Sequence, residues 1–490
     1  MSDGVARWIA AAAGAVLPLG FAPFRVYVLI PLSVAVLWFL WDDRRPRSAA
    51  GVGFAWGAGA FLTGTYWLYI SIHIFGQAPV FLAVLLMLGL VAIMALYPAL
   101  LGYLVARWAP RGPLRWMVLL PGAWVLSEWL RGWLFSGFPW LSLGYGMVDG
   151  PLRGFAPVLG VHGVSLAAAV LAGCLVALFR GGRRTRLTSA ILFAAVVLSG
   201  QVLAMIQWTR PAEEQISVTL IQGAVPQDRK WLPSQREPTK DLYLDLTRAE
   251  LGRDLVVWPE AAIPAVVSEE MEYLESVQAE ARGAGTTVVL GMLEQEPGDG
   301  RYFNSLLVLG ETQAVYRKRH LVPFGEYFPV PNVVREWMRL LNLPYSDISP
   351  GPALQPPLPV AGAFAAPSVC YEDAFGSEQL DFLPAAGLLL NVSNDAWFGD
   401  SIAPHQHLQI ARMRSLEAGR YMLRATNTGI SAVIDPNGVV IASSPQFETH
   451  VLRADVRPYL GATPYTGMGN AAALIVALAM VCGVYLRRSG

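Results

Sequence analysis

Three short stretches of this 490-residue chain carry residue types able to do acyl chemistry. In Val256-Val257-Trp258-Pro259-Glu260 a carboxylate stands just past an apolar run, set by a proline turn. From Tyr316 a basic cluster around Lys318 runs into a Pro/Gly loop that ends in Glu326. Ser368-Val369-Cys370-Tyr371-Glu372-Asp373 places a cysteine at the end of an apolar run with acids just beyond it. Singly, each has a plain structural reading: a solvated turn carboxylate, a surface lysine, a core cysteine. Together they make a chemical set. A thiol needs a base to become a thiolate at neutral pH. Attack on an ester or amide carbonyl generates an oxyanion that an ammonium or a backbone N–H stabilises. Glu260, Lys318 and Cys370 supply base, cation and nucleophile without a histidine. An ammonium beside the cysteine favours its anion and the glutamate favours the ammonium, so the three are expected to titrate as a coupled set.

The elements that must position these residues read as one α/β domain from about Gln207 to Thr466. Ile216–Gln222 alternates and is β-branched, as a strand does. Asp254–Trp258, Thr286–Gly291, Asn304–Leu309, Ala365–Cys370 and Gly387–Asn391 are short apolar strands, with helical patterns at Glu237–Leu251, Glu269–Arg282 and His405–Ala425. Ser431–Ile434 and Val439–Ala442 flank a hairpin turn, Asp435-Pro436-Asn437-Gly438. Alternating strands and helices argue for α/β layering with buried central strands.

The rest of the chain is of another kind. With 54% hydrophobic and 15% charged residues, the composition points to the membrane class. Apolar runs of bilayer length are read at Trp8–Phe24, Val26–Trp41, Gly51–Ile72, Val80–Ala106, Trp116–Trp133, Pro157–Phe179, Leu187–Ile206 and Asn470–Leu486. Arginine clusters at Arg44–Arg47, Arg107–Arg115, Arg180–Arg186 and Arg487–Arg488 all follow even-numbered runs. By the positive-inside rule that side, with both termini, is cytoplasmic and the α/β domain faces the opposite side. No cleavable signal peptide is evident, and the first run reads as an anchor. The three cysteines, Cys174, Cys370 and Cys482, make no disulfide framework, and the first and last lie in apolar runs. Glu128 and Arg131 are charges within an apolar helix, either functional or anchoring a loop. Trp129, Trp133 and Trp140 fit an interfacial belt. His405 and His407 are two apart and make no metal set without further ligands. No basic patch interleaved with aromatics or phosphate-binding loop points to nucleic acid.

Glu260, Lys318 and Cys370 stand in the order and local settings of the carbon–nitrogen hydrolase (nitrilase) superfamily, which the chain resembles from about Ile216 to Val456. Seven spans before that domain and one after it are similar to the apolipoprotein N-acyltransferase family. So are Ser127–Gly132 with Gly137-Phe138-Pro139-Trp140, Gln222-Gly223 with Pro226-Gln227 and Lys230-Trp231, Leu321–Glu326, and Asn391–Phe398. Ala224 departs from the asparagine common there.

The resemblance implies an eight-helix membrane bundle (residues 1–206, closed by 467–490) and an α-β-β-α sandwich catalytic domain (207–466). It implies a bacterial inner-membrane protein with a periplasmic catalytic domain, no cofactor and no metal, working as a monomer. It implies a Cys370 thioester, formed from a phospholipid (the sn-1 ester of phosphatidylethanolamine) and passed to the α-amine of a diacylglyceryl-modified apolipoprotein. Glu326, Glu372, Tyr371 and Trp231 match supporting or substrate-binding positions; Asn304, on a strand facing the site, is counted with them and is expected to make a structural hydrogen bond. Gly325–Arg335 and Trp397–Pro404 are expected lids, from their Gly, Pro and aromatic content. One rival is a membrane-tethered amidase that uses water as acceptor with the same triad. The other is a transporter or receptor whose outer domain only binds; it would want paired broken helices or charges in mid-span.

Overall fold

The computed structural model describes residues 1–298, 300–327 and 348–486. The expected Gly325–Arg335 loop beyond Tyr327 and the Arg487–Arg488 pair lie outside them. The chain divides into two compact units: Met1–Trp208 with Phe398–Glu417 and Thr463–Gly490, and Thr209–Trp397 with Ala418–Ala462.

In the first unit each expected span contains helix. Val80–Trp108, Arg153–Arg180 and Arg183–Ala204 are long and apolar enough to cross a membrane, and Leu29–Trp41 and Ala471–Leu486 are shorter apolar helices. The remaining expected spans are broken. Asp3–Val16 passes into a 3-10 turn at Leu17–Gly20 carrying Pro18, Pro46–Gly64 ends before Thr65, and Leu120–Arg131 follows a wide turn at Arg115–Leu119. Glycine permits the close contacts. A Cβ on Gly14 would lie 2.0 Å from the Trp56 carbonyl oxygen, so only glycine lets these two helices meet there. Glu128 accepts from Trp124 Nε1 (3.0 Å) and the Leu143 N–H (2.9 Å). Arg131 donates to the Phe138 carbonyl (2.8 Å), the Trp140 carbonyl and Ser142 Oγ (3.0 Å). Both charges therefore bind the 138–143 loop, which is the anchoring alternative.

The segment read as a helix over His405–Ala425 is corrected at both ends: the helix is Ala403–Ala418, and Tyr421–Thr426 is a strand. The helix belongs to the first unit. It is polar yet buried, and its partners lie among the apolar helices: Gln406 Oε1 accepts from Trp67 Nε1 and Trp140 Nε1 (3.2 Å each), and Arg412 pairs with Asp149 at 2.5 Å. Buried polar side chains require such partners. Hydropathy cannot reveal a helix of this kind, because its sequence resembles that of a solvated one.

The second unit holds two six-stranded sheets. We number its strands β1 (Thr209–Pro211), β2 (Ile216–Gln222), β3 (Leu255–Val257), β4 (Thr287–Gln295), β5 (Tyr302–Leu309), β6 (Ala314–Arg317), β7 (Leu358–Val360), β8 (Ala363–Val369), β9 (Leu388–Ser393), β10 (Tyr421–Thr426), β11 (Ala432–Ile434), β12 (Val440–Ser443), β13 (His450–Val456) and β14 (Tyr459–Gly461). One sheet runs β13-β2-β3-β4-β5-β6, the other β12-β11-β10-β9-β8-β7. The central strands β2-β3-β4 and β8-β9-β10 are parallel and buried, as their near-continuous apolar sequences require. Gln222 joins the sheets: its Oε1 accepts from Thr426 Oγ1, Ser431 Oγ and Ser444 Oγ at 3.2, 2.7 and 2.8 Å. Helices Pro233–Arg248 and Met271–Gly283 cover one face, where Tyr243, Leu274 and Val277 pack on Val256, Val288 and Leu290. The β11–β12 hairpin turns at Asp435–Gly438 as expected, closed by the Asp435 N–H on the Val439 carbonyl (2.8 Å).

Candidate active site

Glu260 stands three residues past β3, in a turn pinned to β4. The Trp258 N–H donates to the Val289 carbonyl (2.8 Å), the Gly291 N–H to the Pro259 carbonyl (3.2 Å), and the Ala262 N–H to the Gly291 carbonyl (2.8 Å). Both carboxylate oxygens are held: Asn304 Nδ2 donates to Oε1 (2.7 Å) and the Asn394 N–H to Oε2 (2.8 Å). Glu260 is buried.

Lys318 follows β6, and its own N–H donates to the Asn304 carbonyl (2.8 Å). Its Nζ lies 3.7 Å from Glu260 Oε1 and 2.8 Å from Glu326 Oε2. Burial alone would push this ammonium toward the neutral form, but Glu326, Glu260 and Cys370 outweigh it and hold Lys318 above the ordinary lysine value. Glu326 is fixed in turn by Asn304 Nδ2 (3.0 Å) and the Val322 N–H (2.8 Å). Asn304 thus bridges two glutamates that both face one lysine.

Cys370 is the residue after β8, half-buried, with φ +51°. A non-glycine residue in the left-handed region is strained and persists only where its surroundings over-determine it. Burial raises the thiol far above the ordinary value; Glu260 and Asp395 add to this, while Lys318 and a hydrogen bond from Ser393 oppose it. A thiol so disposed stays protonated until a base takes its proton, and Glu260 is a carboxylate close enough to couple to it.

The other expected residues divide. Glu372, 2% exposed, accepts from Tyr316 Oη (2.9 Å) and from the N–H groups of Arg319 (2.6 Å), His320 (3.1 Å) and Val369 (2.7 Å). It ties the Lys318 loop to the Cys370 turn. Burial raises its carboxyl and Lys318 opposes that. Tyr371 is buried edge-on to Phe375, ring centres 5.0 Å apart. Trp231 exposes 48% of its surface and stands apart from the hydrogen-bonded set. The Trp397–Pro404 stretch holds the end of a 3-10 turn, Asp395–Phe398, and the start of the helix at Ala403.

Sequence reasoning passed over several contributors. Lys230, 1% exposed, donates to the Glu260 carbonyl at 3.3 Å, and burial lowers it to about 8 against the pull of Glu260. Asn394 Nδ2 donates to Gln227 Oε1 (2.8 Å) and its Oδ1 accepts from Asn427 Nδ2 (3.1 Å). Lys230, Gln227 and Asn394 lie in the quoted motifs, so a signal existed. Arg424 gave none, because Tyr421–Ala425 read as the tail of a helix.

Residues 13–174 match the family described as apolipoprotein N-acyltransferase N-terminal domain, and residues 217–465 match carbon-nitrogen hydrolase. The chain is 45% identical to an apolipoprotein N-acyltransferase of Methylococcus capsulatus, over 99% of this chain and 97% of that protein. It is 42% identical to one of Nitrosomonas europaea, over 100% of this chain and 99% of that protein. Among solved structures, the NitFhit protein of C. elegans is similar over 52% of this chain and 63% of its own, at 19% identity and TM-score 0.40. Matches of this identity across both units leave one assignment: the chain belongs to the apolipoprotein N-acyltransferase family.

Proposed function

We propose that this enzyme N-acylates lipoproteins by a two-step transfer through a thioester on Cys370. Glu260 takes the thiol proton, and the sulfur attacks the sn-1 ester carbon of phosphatidylethanolamine. Lys318 faces the oxyanion that forms. Collapse breaks the carbon–oxygen bond, and the lysophospholipid alkoxide leaves with the proton from Glu260. The α-amine of an S-diacylglyceryl cysteine, at the N-terminus of an apolipoprotein, then attacks the thioester. The carbon–nitrogen bond forms, the carbon–sulfur bond breaks, and the amine proton passes through Glu260 to restore the thiol. This is ping-pong chemistry.

The observation that carries the reading is the hold on Glu260. Both of its oxygens are fixed, by Asn304 and Asn394, with Lys318 3.7 Å away and electrostatically coupled to Cys370. Glu326 and Asn304 keep Lys318 charged and aimed, and Glu372 holds the lysine loop to the cysteine turn. Tyr371 and Trp231 shape the substrate pocket, where the half-exposed Trp231 offers an apolar face. In this reading the enzyme works as a monomer with eight membrane spans in the bacterial inner membrane, both termini cytoplasmic and the catalytic domain periplasmic. Three of its helices already have spanning length and apolarity.

The test uses phosphatidylethanolamine labelled in either the sn-1 or the sn-2 chain, with a diacylglyceryl-cysteine peptide as acceptor. Label reaching the peptide amide from sn-1 alone, and not with Cys370→Ser, is the expected result. Release of free fatty acid with no peptide product would assign a hydrolase instead.

A further inference from the structure

Behind Cys370 lies a buried charged set outside the Glu-Lys-Cys triad. Asn391 of β9 pairs in register with Ser368 of β8 on one side and Arg424 of β10 on the other. The three form a row across the sheet, two residues before the cysteine on β8. Arg424, wholly buried, donates to Asn391 Oδ1 (2.6 Å), Asp373 Oδ2 (3.1 Å) and Asp395 Oδ2 (2.9 Å). Asp373 and Asp395 are also wholly buried. Each contact leads back to the nucleophile. Asn391 Nδ2 donates to Ser368 Oγ (3.0 Å) and to the carbonyl of Cys370 itself (3.4 Å). Asp373 lies in the short helical turn Cys370–Ala374 that the cysteine opens. Asp395 accepts from Ser393 Oγ (2.8 Å), and its charge acts on the Cys370 thiol.

We propose that Arg424 is a positioning residue for the nucleophile: by tying Asn391, Asp373 and Asp395 into one buried set, it holds Cys370 in the left-handed turn that aims its sulfur. This rests on Cys370 being the nucleophile. The planar fork matters as well as the charge. One guanidinium nitrogen serves Asn391 and Asp373 while the other serves Asp395, which a lysine ammonium cannot reproduce at the same distances. The strain at Cys370 needs such over-determination, because a free turn would relax to negative φ.

The experiment compares wild type, Arg424→Lys and Asn391→Ala as purified full-length proteins in detergent. Two rates are read: acyl-adduct formation on Cys370 with saturating phosphatidylethanolamine, by intact mass, and carboxamidomethylation of Cys370 by iodoacetamide, by peptide mass. Elution profile and melting temperature report folding. A small alkylating reagent needs the thiolate but not its aim, whereas acyl transfer needs both. Arg424→Lys keeps the charge, so alkylation stays within about threefold of wild type while acylation falls roughly 100-fold, the cost of misplacing a reacting atom by about 1 Å. Asn391→Ala leaves both ion pairs in place and shows the same split; it decides alone if Arg424→Lys does not fold. Acylation within threefold of wild type in a folded variant would overturn the proposal. So would equal losses in both rates, which would make the effect one of charge and not of aim. Absence of a wild-type adduct would remove Cys370 as nucleophile, and this role with it.

Discussion

Gly291 of β4 is where Glu260 is most easily displaced without touching a titratable group. A Cβ there would lie 2.6 Å from Glu260 Cα, 2.8 Å from Ala261 N and 2.8 Å from the Pro259 carbonyl oxygen. All three are backbone atoms. Non-bonded carbons settle at roughly 3.5–4.0 Å, so Gly291→Ala forces a movement of about 1 Å. Strand β4 lies between β3 and β5 and has little room to yield, so the Pro259–Ala261 turn moves. A misplacement of that size costs about 100-fold in rate, or about 3 kcal/mol of barrier. The overpacking costs a further 1–3 kcal/mol of stability, roughly. The assay is the initial rate of Cys370 acylation by phosphatidylethanolamine, with thermal melting of the same preparation. Gly283→Ala is the control: nothing lies within 4 Å of its Cβ, and its rate is expected to match wild type. A folded Gly291→Ala enzyme acylating within threefold of wild type would refute the claim that the position of Glu260 limits the step.

Two more substitutions separate charge from proton transfer. Glu260→Gln removes an anion that raises the Cys370 thiol, second only to burial, so iodoacetamide alkylation of Cys370 at pH 8 is expected to speed up while acylation falls by roughly 10²–10⁴-fold; a parallel fall in both rates would contradict the assignment. Lys230 titrates at about 8 in the folded chain against an ordinary 10.5. Between those values the unfolded chain binds the extra proton, so stability rises with pH from about 8 to 10.5, and below about 8 the buried ammonium costs on the order of 3 kcal/mol. Lys230→Met is therefore expected to melt higher than wild type at pH 7, with the gap narrowing by pH 10, and to acylate more slowly because the Glu260 carbonyl loses its donor. A gap that is constant with pH would assign Lys230 a neutral role.

Much of the catalytic unit was legible because its central strands are short apolar runs that end at the residues of interest: Val257 before Trp258-Pro259-Glu260, and Val369 before Cys370. What remained hidden was hidden for definite reasons. Strand β6, which delivers Lys318, is four residues long with only Tyr316 buried, and gives little periodicity. Strand β10 follows a helix after a two-residue break at Gly419-Arg420, and its Arg424 passed as helical because the helix-ending glycine was read through. The helix Ala403–Ala418 reads as a solvated one because its buried polar groups are satisfied by tryptophan indoles and charges distant in sequence. Asn304, expected to make a structural hydrogen bond, bonds both Glu260 and Glu326; only the antiparallel pairing of β5 with β4 and β6 sets that side chain between them.

In the proposed mechanism Cys370 carries the acyl chain between donor and acceptor. The most direct test is the intact mass of the full-length protein after incubation with phosphatidylethanolamine, wild type beside Cys370→Ala. One added acyl mass is expected on wild type alone, discharged when a diacylglyceryl-cysteine peptide is added and recovered on that peptide as an amide. No adduct on wild type, or an adduct that also forms on Cys370→Ala, would contradict the mechanism.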